Sequence, residues 1–271
     1  MVHSVPRASV VVAVRDDAER LRRCLAALRA SSVELEIIVV DNESRDDSSA
    51  VASAYADRVA SCSGSVAECH GLGAMLASTD VLVFVDADQV VDPDCVADAM
   101  EALRGADAVV IPERPLSLGS TYARVVASER RWSEWMGWAV PRVILRSRYD
   151  ALGGHRGSVF FGEDRAAFAG VQRIGFGRSP IRHDELRSAR AVARKYFQYG
   201  LRSTTLGKGG LVWPGLPRRS GFAKSELISE DFVLLPAVIA LKLTKLRALM
   251  VGHVVGKVAV AGRHIVKEDQ H

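Results

Sequence analysis

Residues 81–93 read VLVFVDADQVVDP: five apolar residues run into Asp86, Ala87 and Asp88, and Val90 and Val91 follow before Pro93. The run has the length and content of a strand buried on both faces of a sheet. A lone carboxylate is costly to bury, so the two acids belong at the strand's end, where water, a metal or a ligand can meet them. Upstream, Ser9–Val14 (SVVVAV) and Leu35–Val40 (LEIIVV) repeat the pattern. Between these two, Asp17–Leu28 places Leu21, Cys24, Leu25 and Leu28 on one helical face. The polar loop Asp41–Asp47 leads to a helix expected over Ser48–Val59, with Asp46 or Asp47 as cap. Weak extended structure is expected near Val59–Cys62, a short helix over Leu72–Ser78, a helix over Ala97–Leu103 and a strand over Ala108–Ile111. This alternation predicts an α/β fold with a mostly parallel sheet and helices on both faces. Ligands of such sheets bind beyond the carboxyl ends of the strands, which puts Asp41 and Asp86 on one rim.

The chain has 271 residues, 48% hydrophobic and 25% charged, enough for one large domain with an appendage, and its net charge of +4 says little about partners. Its four cysteines form no CxxC pair and the N-terminus lacks the order of a signal peptide, so a reducing, cytoplasmic setting is expected. Cys62, Cys69 and His70 lack a fourth partner at zinc spacing, and scattered core thiols are the plainer reading. The first strand is followed by Arg15-Asp16-Asp17, without the glycines of a dinucleotide fingerprint, and no GxxxxGK[ST] loop is present.

Four segments carry a resemblance. SVVVAVRDDAERLRRCLAAL, EIIVVDNESRDDS, GAMLASTDVLVFVDADQVVDP and LGGHRGSVFFGEDRAAFAGVQRIG, in that order, resemble successive segments of the family 2 glycosyltransferases of GT-A fold, over about residues 8–200. The resemblance implies transfer of a sugar from a nucleoside diphosphate donor to a hydroxyl, with inversion, helped by Mn²⁺ or Mg²⁺. It implies a nucleotide-sugar-binding half over residues 1–112 and an acceptor-binding half over 113–200, while composition marks 201–271 as a basic, amphipathic helical extension. On the donor side, Val12, Ala13, Val14 and Arg15 would line the base pocket through backbone groups, and Asp41 would accept a base N–H. Asp88 would ligate the metal directly, Asp86 would meet ribose or metal, Ala87 would keep the turn small, and His183 would reach the metal or diphosphate. The chemistry accounts for the acids: charge builds on the departing diphosphate, and a cation held by hard oxygen ligands offsets it. The attacking hydroxyl must also lose a proton, and the resemblance gives that task to Asp164, with Glu163 orienting the acceptor. Plain capping roles for Asp86, Asp88 and Asp164, and a loop role for Asp41, are the bland alternatives. His70 departs from the pattern, standing where the family commonly has Arg; it would either substitute when protonated or be a surface histidine. Trp132, Trp135 and Trp138, three apart on one side of an expected helix, suit core packing or a wall of the acceptor cleft.

From Leu186 to Lys224 there is no acid among nine Lys and Arg residues. No nucleic-acid recognition module accompanies them, so nucleic acid is not expected as a partner. Two apolar stretches, Phe232–Leu243 and Leu249–Ala261, fall short of the roughly twenty residues of a membrane span. Amphipathic helices lying on an anionic membrane fit them, at the inner face of the plasma membrane; packing on the catalytic domain or a homo-oligomer is the soluble alternative. RKYFQYG (194–200) resembles a segment of family members with lipid-linked or membrane-proximal acceptors, which implies a lipid-linked or cell-envelope glycan acceptor here. A catalytically silent, nucleotide-sugar-binding assembly partner is the second reading, and a nucleotidyltransferase is disfavoured by the first loop.

Overall fold

The apolar runs become the centre of a seven-stranded sheet in a computed structural model that describes residues 7–155, 159–161, 163–184, 188–205, 210–211 and 227–268. In 159–161, 163, 202–205, 210–211 and 259–268 it describes the backbone alone. The strands in chain order are β1 (Ala8–Val14), β2 (Leu35–Asp41), β3 (Arg58–Ser61), β4 (Val81–Asp86), β5 (Gln89–Val91), β6 (Ala108–Val110), β7 (Glu113–Pro115), β8 (Val143–Leu145), β9 (Val159–Phe161), β10 (Ile174–Phe176), β11 (Ile181–His183) and β12 (Gly210–Leu211). The helices are α1 (Ala18–Arg29), α2 (Ser48–Tyr55), α3 (Val66–Leu76), α4 (Cys95–Leu103), α5 (Thr121–Trp135), α6 (Arg146–Leu152), α7 (Glu163–Ala167), α8 (Ala189–Thr205) and α9 (Ser229–Glu268).

The large sheet runs β10-β6-β8-β4-β1-β2-β3, parallel throughout except for β8, which is antiparallel to both neighbours. Alternate residues of its strands face opposite layers. Val10, Val12, Ile37, Val39, Val83 and Val85 pack with Leu21 and Leu25 of α1 and Val96 and Ala99 of α4. Val11, Leu82, Phe84 and Ile144 pack with Ala74 of α3, Tyr149 of α6 and Phe168 on the other side. A second sheet, β5-β11-β7, stands beside the carboxyl end of β4.

Four expectations are corrected. The helix after Asp47 stops at Tyr55, because Asp57 takes the Ile37 N–H on its carboxylate at 2.7 Å and returns its own N–H to the Ile37 carbonyl, which turns the chain into β3. The third helix begins at Val66, since Ser65 and Glu68 close a capping box that the sequence reading passed over. Trp138 lies outside α5, which ends at Trp135 just before Gly137 at φ 68°. The two C-terminal apolar stretches form one helix, α9, of 40 residues that continues through Pro236.

α9 is held between Asp231 and Gly252. Asp231, fully buried, takes a two-pronged bond from Arg131 at 2.8 and 2.6 Å, and Lys245 reaches Glu129 at 2.6 Å. Breaking one partner out of such a buried pair costs roughly 3–5 kcal/mol. Trp132 packs edge-on against Trp135 and Phe232, and Lys242 stands over the Trp138 ring. Against α8, backbone meets backbone: a Cβ on Gly200 would lie 2.0 Å from the Leu249 carbonyl oxygen, and one on Gly252 would lie 2.1 Å from that of Phe197. The opposite side of α9 is also apolar, with Val233, Leu243, Val251, Val254 and Val258 all more than half exposed. No helix among the described residues is long and apolar enough to cross a membrane.

Candidate functional site

The sheet's register gathers the predicted donor-side residues. Val14 of β1 pairs with Asp41 and Ala13 with Asp86, so the two acids flank β1 on its carboxyl rim. Val12 is in ladder with both neighbours and Val14 gives its carbonyl to Asn42 N–H at 2.8 Å; the rim-facing backbone therefore begins at Val14 and the exposed Arg15. Asp41, nearly buried, accepts the Ser44 N–H at 3.3 Å. The loops after β1 and β2 are tied together, Asp16 accepting from Arg45 N–H at 2.7 Å and Asp46 from Ala18 N–H at 2.9 Å.

Asp86 and Asp88 leave β4 through a tight turn whose middle residue, Ala87, is buried. Gln89 reaches back to accept the Asp86 N–H at 3.0 Å, and β5 then pairs with β11, His183 opposite Gln89. That pairing brings His183 Nε2 to 3.0 Å from the Asp88 carboxylate, while Asp184 N–H bonds the Asp88 carbonyl at 3.0 Å. Burial alone would raise the Asp88 carboxyl; the hydrogen bond from His183, with the charges of Lys195 and Arg20, outweighs it and holds the group below the usual carboxylate range.

Arg142, which the sequence reading missed, is the centre of the charge network. β8 runs antiparallel to β4, so its first end, and Arg142 just before it, lies at the rim. Arg142 donates to Asp86 at 3.0 Å and to Glu113 at 2.8 and 2.6 Å. Burial would raise Glu113, but Arg130 and Arg142 keep it far below an ordinary glutamate. Arg130 bonds Glu113 and also His183 Nδ1. Because a guanidinium only donates, His183 Nδ1 accepts and its proton sits on Nε2, facing Asp88. Asp86 and Asp88 offer carboxylate oxygens, the donor type a hard divalent cation takes, at the end of one strand; Arg142 and His183 hold one oxygen of each and would yield it to an ion. His183 would join as a ligand only when Arg130 gives up its Nδ1.

Of the residues predicted for the acceptor side, Asp164 lies in α7 and its carboxylate remains 29% exposed. Glu163 opens the same helix; its side chain lies outside the described residues. Asp164 accepts from His155 Nε2 at 2.8 Å, and His155 Nδ1 meets the Tyr149 hydroxyl at 2.9 Å, which in turn accepts the His155 backbone N–H. Burial would raise Asp164; His155, His70 and Arg142 overcome it and hold the carboxyl at about 2.

His70 takes neither of its two expected roles. The early start of α3 buries it to 1% exposure against Phe84 and His155, and its Nδ1 stands 3.7 Å from Asp164. Burial lowers its imidazole to about 4, a shift only partly opposed by Asp164, so it is neutral at pH 7 and supplies no phosphate-facing cation. Neither ring nitrogen has a hydrogen-bond partner among the described residues, an omission that costs roughly 1–3 kcal/mol. His155, Glu113, Arg130 and Arg142 carry no local signal that would mark them; an arginine before the β-branched VIL of β8 is the only hint.

A pH dependence follows. The unfolded chain binds a proton at His70 near 6.5 and the folded chain near 4, so stability due to the neutral ring is complete above 6.5 and lost as pH falls to 4. Over that window the loss is on the order of 3 kcal/mol. Thermal melts of wild type in chelator should fall more steeply between these pH values than those of His70→Phe; parallel curves would show that the ring titrates normally.

The sequence matches the profile described as "Glycosyl transferase family 2" over residues 9–168. The chain belongs to glycosyl transferase family 2. No curated protein sequence matches it. This family member is similar in fold to the mannosyltransferase PcManGT from Pyrobaculum calidifontis, solved with GDP-Man and Mn²⁺, at TM-score 0.55 and 18% identity over 96% of this chain and 76% of that one. It is also similar to S. aureus TarS, TM-score 0.54 and 13% identity over 86% of this chain, and spans 43% of that longer protein. Glucosyl-3-phosphoglycerate synthase from Mycobacterium tuberculosis, solved with Mn²⁺, UDP and glucosyl-3-phosphoglycerate, aligns at TM-score 0.51 and 18% identity over 78% of this chain and 82% of its own. The likeness is one of GT-A fold.

Proposed function

We propose that this protein moves a sugar from a nucleoside diphosphate donor to a hydroxyl of a lipid-linked or cell-envelope acceptor, with inversion, assisted by Mn²⁺ or Mg²⁺. The observation that carries the reading is the rim itself: His183, about a hundred residues on, meets Asp88, Arg142 meets Asp86, and the ionised Asp164 feels the same Arg142. Asp86 and Asp88 would hold the cation, which when bound offsets charge on the diphosphate oxygens. Asp41 and the Val14–Arg15 backbone bind the base, and Arg142 and Arg20, beside Asp86 and Asp88, add positive charge toward the phosphates. Asp164 takes the acceptor's proton while His155 Nε2–H and Tyr149 hold its carboxylate in one orientation. The test is transfer or slow donor hydrolysis with a panel of UDP-, GDP- and dTDP-sugars and Mn²⁺. The absence of a cation at position 70 favours the second reading, a silent nucleotide-sugar-binding partner; donor binding without hydrolysis or transfer would establish it.

The acceptor class draws support from α8 and α9. Arg190, Arg194 and Arg247 line a cleft of about 620 Å³ together with Phe197 and Val251. The exposed apolar side of α9 adjoins it. Together they suit peripheral contact with an anionic membrane at about 1 kcal/mol per cation. Reversing all three arginines to glutamate should weaken sedimentation with anionic vesicles by about a hundredfold or more, and salt should weaken the wild type. Equal binding to neutral vesicles, or no change in the variant, would remove the membrane from the proposal.

A further inference from the structure

We propose that His70, His155 and Asp164 form a transition-metal site of the zinc class, separate from the pair Asp86 and Asp88, and that an ion bound there occupies the carboxylate otherwise free to act as base. The second half rests on the functional reading above; the first stands without it. One ligand atom from each residue lies within 4.8 Å of the others. Asp164 Oδ1 is 2.8 Å from His155 Nε2 and 3.7 Å from His70 Nδ1. These bracket the spacing of about 3.3 Å between ligand atoms of a tetrahedral ion bound at about 2.0–2.1 Å. The two imidazole centres, 4.9 Å apart and edge to face, also match the separation of about 5 Å that two rings on one such ion adopt.

A second observation points to a ligand. His70 is almost wholly buried, is aimed at the Asp164 oxygen, and has no partner on either nitrogen among the described residues. Two imidazoles and one carboxylate are a donor set for zinc or another late first-row ion, and leave a coordination position open toward the exposed edge of Asp164. His155 is supported as metal-bound histidines are, by a fixed partner on the other nitrogen. As the ion enters, the His155 Nε2 proton moves to Nδ1 and bonds the Tyr149 oxygen, so no net proton is released by this residue. Asp164 and His70 are already unprotonated at neutral pH. Arg142 opposes a cation here, but its charge is taken up by Glu113 and Asp86.

The experiment loads the chelator-treated full chain with Co²⁺ in excess Mg²⁺, which occupies oxygen-rich sites, and reads the visible d–d absorption of four- or five-coordinate cobalt. One Co²⁺ per chain is expected, with affinity lowered at least tenfold in His70→Ala and in His155→Ala and kept in Asp88→Ala. His70→Gln replaces the alanine variant if circular dichroism finds that one unfolded. Zn²⁺ should displace the cobalt. It should also inhibit Mg²⁺-dependent transfer, more in wild type than in His70→Ala, each relative to its own uninhibited rate. Absence of the bands, or bands lost only in Asp88→Ala, would overturn the site. Cobalt uptake with no transfer by any donor would uphold the site while sinking the functional reading.

Discussion

Asp164→Asn is expected to leave donor affinity within a few fold of wild type while lowering sugar transfer by about 10²–10⁴-fold, the range a positioned general base contributes. The substitution is nearly isosteric, and the amide oxygen can still accept the His155 Nε2–H that meets Asp164 at 2.8 Å. What disappears is a group that can take up a proton. The wild-type carboxyl, held at about 2, is ionised at every pH above about 4, so the acid limb of the rate profile should not follow Asp164. Single-turnover assays with saturating donor separate binding from chemistry. Turnover near the wild-type rate would move the base to another residue, Glu163 being the next to test.

Asp88→Ala should reduce Mn²⁺-dependent donor binding by about a hundredfold or more, because even residues that only orient a metal ligand are worth 10–100-fold. The variant also strips His183 of its acceptor and leaves Arg20 and Lys195 facing a lost charge. Calorimetry with donor in the presence of Mn²⁺ and of chelator reads the effect directly. The wild type should bind far more tightly with the ion, the variant equally in both. An unchanged affinity, or a loss that persists in chelator, would separate Asp88 from the cation.

Much of the fold was legible because strands buried on both faces announce themselves locally. SVVVAV, LEIIVV and VLVFV each became a strand of the sheet, and the acids at 41, 86 and 88 fell at their ends as the connection rule requires. The early start of α3 had a local signal too, the Ser65–Glu68 box, and overlooking it left His70 apparently on a surface. Other features had none. Arg142 reaches the rim only because β8 runs against its neighbours, and His155 meets Asp164 through a turn at Gly153 and Gly154, both at positive φ. The continuity of α9 through Pro236 depends on anchors to Arg131 and Trp132 that lie about a hundred residues earlier, beyond the reach of any periodicity.

The contact of α8 with α9 through Gly200 and Gly252 sets a limit on movement. Helices separated by side chains can slide and roll as those side chains change rotamer. Two backbones in direct touch have no such slack, and carbonyl oxygens at both crossings resist even a methyl group. The spacing of Arg190 and Arg194 from Arg247 is thereby gauged by main-chain atoms, so the three cations are held as one rigid pattern.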